Sequence, residues 1–203
     1  MIAIINYDAG NLKSVEKAFL YAGQPVTVTA DPDTILAADK VVLPGVGAFR
    51  DAMDKLKAAK LTEVIHRVIE QKTPFLGICL GMQLMYDYSE EGDAEGLGIL
   101  HGTIRRFPAD SGLKIPQIGW NQLEVQKESR LLRGLPQAPY VYFVHSYYVD
   151  AADTSTVAAT VTYGAVADVL VETDHIFLTQ FHPEKSGQAG LCMLRNFAEG
   201  GSV

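Results

Sequence analysis

Residues 74–86 read Pro74-Phe75-Leu76-Gly77-Ile78-Cys79-Leu80-Gly81-Met82-Gln83-Leu84-Met85-Tyr86, and the period changes partway along. Pro74 to Ile78 is a short apolar run of strand type, whereas Leu80, Leu84 and Met85 recur at helical spacing. Between them, Gly77-Ile78-Cys79-Leu80-Gly81 has the form G-x-C-x-G. This is the thiol counterpart of the G-x-S-x-G turn, which carries a nucleophile from a strand into a helix. Such a turn strains its central residue and crowds the neighbours, and glycines two residues before and after relieve the contacts. It lifts the side chain clear of the sheet and aims helix N–H groups at it. The helix dipole there favours a thiolate over a thiol whose free pKa is about 8.5. The plainer alternative is a buried cysteine at a packing site lightened by glycine.

Outward from this elbow, the first half of the chain alternates strand-like and helix-like stretches. Strands are expected at Ile2 to Asn6, Val26 to Thr29 and Val41 to Leu43, and helices at Asn11 to Ala22, Ala48 to Ala58 and Leu61 to Gln71. This βα alternation implies a parallel sheet with helices on both faces. In the second half Ile104 to Phe107, Tyr140 to Tyr148, Thr156 to Val161, Val166 to Glu172 and Ile176 to Gln180 are strand-like. Several of these lack a crossover helix, so hairpins and an antiparallel extension are expected. Gly187 to Glu199 reads as a closing helix, and Ser89 to Gly98 and Ala109 to Trp120 as loops. The expected fold is α/β, a mixed and mostly parallel sheet flanked by helices, in one domain spanning residues 1–203.

Composition narrows the function. Hydrophobic residues make up 48% and charged residues 20%, as in ordinary soluble proteins, and the net charge of -7 argues against nucleic acid. The two cysteines, Cys79 and Cys192, have no metal-ligand spacing, which disfavours a zinc site or disulfide framework and suits a reducing cytosol. The start of the chain lacks the features of a signal peptide, and no apolar run approaches the ~20 residues of a membrane span. No Walker A or dinucleotide loop is present, so no cofactor is expected: Gly45-x-Gly47 is followed by Arg50, and Gly96-x-Gly98 by His101. Cys192, between Leu191 and Met193, is expected to pack in the core.

A thiol acting on an amide needs a base that later protonates the departing nitrogen. Of the five histidines, His66 reads as solvated, and His101 and His175 sit beside turns. His182, in Gln180-Phe181-His182-Pro183-Glu184, follows an apolar strand that could lie beside the elbow. In extended chain Glu184 shares its face, and Pro183 forbids helix between them. A carboxylate on one ring nitrogen would leave the other free for the thiol. The alternative is a His-Pro turn with an exposed glutamate. Charge developing on a carbonyl oxygen needs N–H donors. The amide of Leu80 is one, and Leu43-Pro44-Gly45-Val46-Gly47-Ala48-Phe49 supplies the other, at Val46 and Gly47. Gln83, one turn after Cys79, could pair with a substrate amide.

Together these stretches resemble the class I (triad) glutamine amidotransferases, whose core is flavodoxin-like. Within them, Asn6-Tyr7-Asp8-Ala9-Gly10-Asn11, the Leu43–Phe49 loop, Ile118-Gly119-Trp120-Asn121, Tyr142-Phe143-Val144-His145-Ser146-Tyr147 and Lys185-Ser186 are similar to the glutaminase subunits of imidazole glycerol phosphate synthases. The resemblance implies Cys79 as nucleophile, His182 as proton shuttle and Glu184 as its orienter, acting on L-glutamine. It implies glutamine held by Gln83, Gly47, His145, Ser146 and Tyr147. It implies no metal or cofactor, a cytoplasmic setting, and a heterodimer with a (β/α)8-barrel cyclase in histidine biosynthesis. Asn11, Ser14, Trp120, Tyr142 and Lys185 would face that partner. Many relatives carry a Gly-Gly-Pro-Gly-like oxyanion strand where this chain has Pro44-Gly45-Val46-Gly47, so a free subunit of low activity is expected. The glutaminase of another synthase, such as that for pyridoxal phosphate, a stand-alone cysteine hydrolase and a non-catalytic flavodoxin-like module remain open alternatives.

Overall fold

Ile2 and Ile4 point to one face of a central sheet and Ala3 and Ile5 to the other, and all four are buried. An uninterrupted apolar strand of this kind belongs to a sheet covered on both sides. The structure, a computed structural model, describes residues 1–200, with Ser111 described by its backbone alone. The first half runs β1 (Ile2–Ile5), α1 (Leu12–Tyr21), β2 (Val26–Thr29), α2 (Pro32–Leu36), β3 (Lys40–Gly45), α3 (Phe49–Ala58), α4 (Leu61–Glu70), β4 (Phe75–Cys79) and α5 (Leu80–Gln83). The second half adds β5 (Tyr88–Ser89), β6 (Ala94–Glu95), β7 (Gly102–Arg106), β8 (Gln117–Gln122), β9 (Glu124–Val125), β10 (Tyr140–His145) and β11 (Tyr147–Ala151). It closes with β12 (Val157–Thr162), β13 (Val166–Glu172), β14 (Ile176–Thr179) and α6 (Gly187–Glu199).

The parallel part has the order β2-β1-β3-β4-β14, and β13, β11 and β7 extend it antiparallel. One apolar cluster lies beneath α2, α3 and α4, and the other joins α1 and α6 to the opposite face. Register places the chemistry. Gly45 pairs with Cys79, and Thr179 pairs with Ile78. The ends of β3, β4 and β14 therefore meet at the carboxyl edge of the parallel strands, where open α/β sheets hold ligands.

Several expected elements differ in extent. The helix after the elbow stops at Gln83 instead of continuing through Leu84 and Met85, because Met85 and Tyr86 close tighter turns on Met82 and Gln83 and the Leu84 carbonyl accepts Leu97 N–H. Tyr140 to Tyr148 is two strands, not one. β10 pairs with β8 in a separate antiparallel ribbon, and β11 crosses to β7 and β13. The break falls at Ser146, whose carbonyl accepts Phe107 N–H at 3.1 Å. The end of the expected loop Ala109 to Trp120 is strand β8, and the expected loop Ser89 to Gly98 contains β6. β3 extends through Pro44 to Gly45. Helix α2 was not anticipated, although Asp31-Pro32 signals it: the Asp31 carboxylate accepts Thr34 N–H at 2.9 Å and Pro32 occupies the first turn.

Candidate active site

Cys79 sits at the junction of β4 and α5 with φ +54°, a left-handed conformation uncommon outside glycine. The surroundings hold it there. A Cβ on Gly81 would come within 1.9 Å of the Leu43 carbonyl oxygen, and one on Gly77 within 2.7 Å of the Leu178 side chain. The two glycines thus let the turn pass beneath β3 and beside β14. Since α5 is only four residues long, it has little macrodipole, and the local N–H groups at its start carry the electrostatics. Tyr7 approaches from beyond β1, its hydroxyl donating to the Pro44 carbonyl at 3.0 Å. Burial, and secondarily the neighbouring Cys79 sulfur, push its pKa well up, so it stays a neutral phenol.

His182 follows β14. Its N–H donates to the Tyr142 carbonyl at 3.0 Å, and Ser186 Oγ donates to its carbonyl at 2.7 Å. The segment after it is not extended as expected: Pro183–Lys185 forms a single 3-10 turn, with proline at its first position. The turn still brings Glu184 Oε1 to 2.8 Å from His182 Nδ1, with both side chains almost wholly buried. The carboxylate accepts from Nδ1–H. Nε2 is buried and makes no hydrogen bond of regular geometry to any described group. Burial pushes the imidazole pKa down, but the Cys79 sulfur and the Glu184 carboxylate together outweigh it, and the value is raised to about 9. Nε2 is close enough to feel the sulfur without being aligned on it, a looseness common in unliganded sites.

A cavity of about 280 Å³ opens over these groups, lined by Cys79, Leu80 and His182, by Val46 and Gly47 from the end of β3, and by Gln83, His145, Ser146 and Tyr147. Gly47 adopts φ +99°, a backbone conformation that side chains resist. Burial pushes His145 down to about 4, so it is neutral. Its Nδ1–H donates to the Tyr147 carbonyl at 2.8 Å, which leaves Nε2 as an acceptor facing the Gln117 amide at 3.0 Å. The Gln117 amide must then turn its NH2 to the ring.

Glu91 also lines the cavity, with no motif in the sequence to point to it. Its Oε2 accepts Phe49 N–H at the start of α3, at 3.0 Å. Burial raises its pKa against that hydrogen bond, which lowers it. Nothing near Glu91 in the chain marks it; the hairpin of β5 and β6 carries it there. Gln180, equally unmarked in the sequence, reaches the sulfur with its Nε2 at 3.7 Å.

The residues expected to face a partner lie outside the cavity. Trp120 and Tyr142 pair edge to face, with ring centroids 6.1 Å apart, and Lys185 Nζ lies 5.9 Å from the Tyr142 ring centre. Trp120 is 56% exposed, and Ile118 and Tyr140 are exposed on the same face of the ribbon. Asn11 is exposed and Ser14 half-buried at the start of α1, which packs beside the Pro183–Lys185 turn. Elsewhere, His66 is exposed, His101 pairs with Asp87, and His175 Nε2 meets the Ile69 carbonyl. Cys192 is half-buried rather than in the core, because its position on α6 turns the sulfur to the Arg133 carbonyl at 3.6 Å. Among the described residues no cluster of three or more His, Cys, Asp or Glu side chains is placed to hold a metal, and no helix is long and apolar enough to cross a membrane.

The family model described as glutamine amidotransferase class-I matches residues 3–199. The chain is 50% identical to the imidazole glycerol phosphate synthase subunit HisH of Syntrophotalea carbinolica, covering 98% of this chain and 100% of that protein. It is 52% identical to the protein of the same description from Thermosynechococcus vestitus, over 97% of this chain and 95% of that one. A solved glutamine amidotransferase superposes with a TM-score of 0.74 at 15% identity, over 96% of this chain and 99% of that chain, a likeness of fold.

Proposed function

The chain belongs to the class-I glutamine amidotransferases, and on that premise we propose that it hydrolyses L-glutamine to glutamate and ammonia as one domain over residues 1–203. Cys79 gives its proton to His182 Nε2, and the thiolate attacks the side-chain amide carbon and forms a γ-glutamyl thioester. His182 gives its Nε2 proton to the departing nitrogen, which leaves as ammonia. A water then attacks the thioester carbon and passes a proton to His182, the carbon–sulfur bond breaks, and glutamate leaves. Glu184 keeps the imidazole turned and steadies its charged form. The amides of Leu80, Val46 and Gly47 are the proposed donors to the oxyanion.

The glutamine itself is proposed to lie along Gln83, Gly47 and His145-Ser146-Tyr147. Gln83 commits its NH2 to other partners (Tyr147 and Gln180), so its oxygen is what remains to accept from the substrate. Glu91 offers a negative charge for the substrate's α-ammonium. The reading is carried by one observation: the His182–Glu184 contact of 2.8 Å faces Cys79 in a single cavity.

The relatives are subunits of imidazole glycerol phosphate synthase. For this chain we propose the same assembly: a heterodimer with a cyclase of (β/α)8-barrel fold, in the cytoplasm, feeding ammonia to histidine biosynthesis. Ammonia released into water is mostly protonated near neutral pH and is then no nucleophile, which favours direct delivery. Asn11, Ser14, Trp120, Tyr142 and Lys185 are the proposed contacts. The test is Cys79→Ala in the complex. Glutamine-dependent turnover should fall below detection while the cyclase reaction fed with ammonium salt persists. Normal glutamine hydrolysis by the variant would remove Cys79 from the mechanism.

A further inference from the structure

Gln180, immediately after β14, is fully buried, and its backbone N–H is tied to the Val169 carbonyl at 2.9 Å. Its Nε2 lies 3.7 Å from Cys79 Sγ, and its Oε1 accepts from Gln83 Nε2 at 2.8 Å. The two ends of an amide have the same shape, so the end facing the sulfur has to be fixed by the surrounding network. Here the network does so. Gln83 Nε2 also donates to the Tyr147 carbonyl at 3.0 Å, a group that only accepts. Gln83 therefore turns its NH2 towards both partners, Gln180 presents oxygen to Gln83, and the Gln180 NH2 faces the sulfur. The Tyr147 carbonyl cannot swing away, because residue 147 pairs with Arg106 of β7 and His145 Nδ1–H holds the same oxygen at 2.8 Å.

We infer that Gln180 is a catalytic residue that donates an N–H to the Cys79 thiolate, its direction locked by Gln83 and the Tyr147 carbonyl. The inference rests on reading Cys79 as the nucleophile. Gln180 adds a fixed neutral donor to the stabilisation that the charged His182 ring gives the thiolate. The sulfur belongs to an apolar cluster with Ile78, Phe143 and Phe181, and a four-residue helix contributes little field. A hydrogen bond to an ionised acceptor is about twice as strong as one between neutral groups, so Gln180 favours thiolate over thiol. When the thioester breaks, the electron pair of the carbon–sulfur bond returns to sulfur, and the same N–H meets the charge as it reappears. The titratable groups around the sulfur are His182 with its partner Glu184, the neutral phenol of Tyr7 and, in the wall of the same cavity, Glu91, the neutral imidazole of His145 and Tyr147.

The test measures alkylation of Cys79 by iodoacetamide, resolved by peptide mass spectrometry, from about pH 5 to about pH 10 in the full chain. In Gln180→Met the midpoint of the rate profile should rise by about one unit and the high-pH plateau by about threefold, because a thiolate that loses a hydrogen-bond donor is both more basic and more nucleophilic. A midpoint equal to that of the wild type overturns the inference. If thermal melting shows Gln180→Met to be unfolded, Gln83→Met decides. Residue 180 is then intact but its amide is free to turn, and the midpoint should rise by a smaller amount; no rise overturns the inference. Alkylation needs neither glutamine nor turnover, so failure here is distinct from failure of the nucleophile assignment, which Cys79→Ala tests separately.

Discussion

Glu184 acts at the scale of one hydrogen bond. By occupying Nδ1 it leaves Nε2 toward the sulfur, and with that sulfur it lifts the imidazole to about 9 despite burial. The sign follows directly. On the proposed mechanism, below this value the ring of the free enzyme carries the proton that the departing nitrogen receives, so kcat/KM should fall as pH rises through about 9. Glu184→Gln removes the stabilising charge, lowers the imidazole pKa and should move that alkaline limb to lower pH. With orientation kept by the amide but the charge lost, kcat should fall by roughly 10²-fold or more. A kcat/KM–pH profile of the variant matching the wild type would remove Glu184 from the proton pathway.

At the scale of elements, the elbow works because three strand ends converge. β3 passes so close over Gly81 that a methyl group would collide with the Leu43 carbonyl at 1.9 Å, a backbone atom that cannot rotate away. Gly81→Ala should therefore destabilise by about 3 kcal/mol or more in urea unfolding, beyond ordinary overpacking, since the turn and β3 must separate. A variant within 1 kcal/mol of the wild type, roughly, would show that the elbow can relax. The brevity of α5 also matters. It leaves the sulfur's charge to individual donors rather than to a helix dipole, which is where Gln180 enters. The break at Ser146 serves the site too: β10 and β11 part there, and the divergence puts residues 145–147 in the cavity wall.

At the scale of the molecule, the ribbon of β8 and β10 carries Trp120 and Tyr142 outside the sheet and, through Gln117 and His145, reaches the cavity from the same two strands. Docking on this ribbon would therefore act close to the site. For the proposed cyclase complex, Trp120→Ala should weaken Kd by roughly 30-fold or more, as loss of a large exposed aromatic anchor does. Calorimetric titration giving an unchanged Kd would move the interface elsewhere. Because Val46 and Gly47 lie at the exposed end of β3, we further expect the free chain to hydrolyse glutamine slowly and the liganded cyclase to raise kcat at least about tenfold. Equal turnover with and without it would mean that the oxyanion donors are in place from the start.

The sequence alone disclosed what local covalent geometry dictates. Two glycines around Cys79 announced a tight turn, and apolar runs announced a sheet covered on both faces. A histidine two residues from a glutamate left open both a contact and an exposed carboxylate, and the fold brings the two within 2.8 Å. The segment between them is not extended, for Pro183 begins a 3-10 turn and the pair forms across it. The length of α5, the split of Tyr140 to Tyr148 and the strand at Gln117 depended on which distant segments compete for the same backbone groups. Glu91 and Gln180 were illegible for a related reason. A carboxylate or an amide becomes functional through the neighbour it meets across the sheet edge, and strand register, a property of the folded chain, chooses that neighbour.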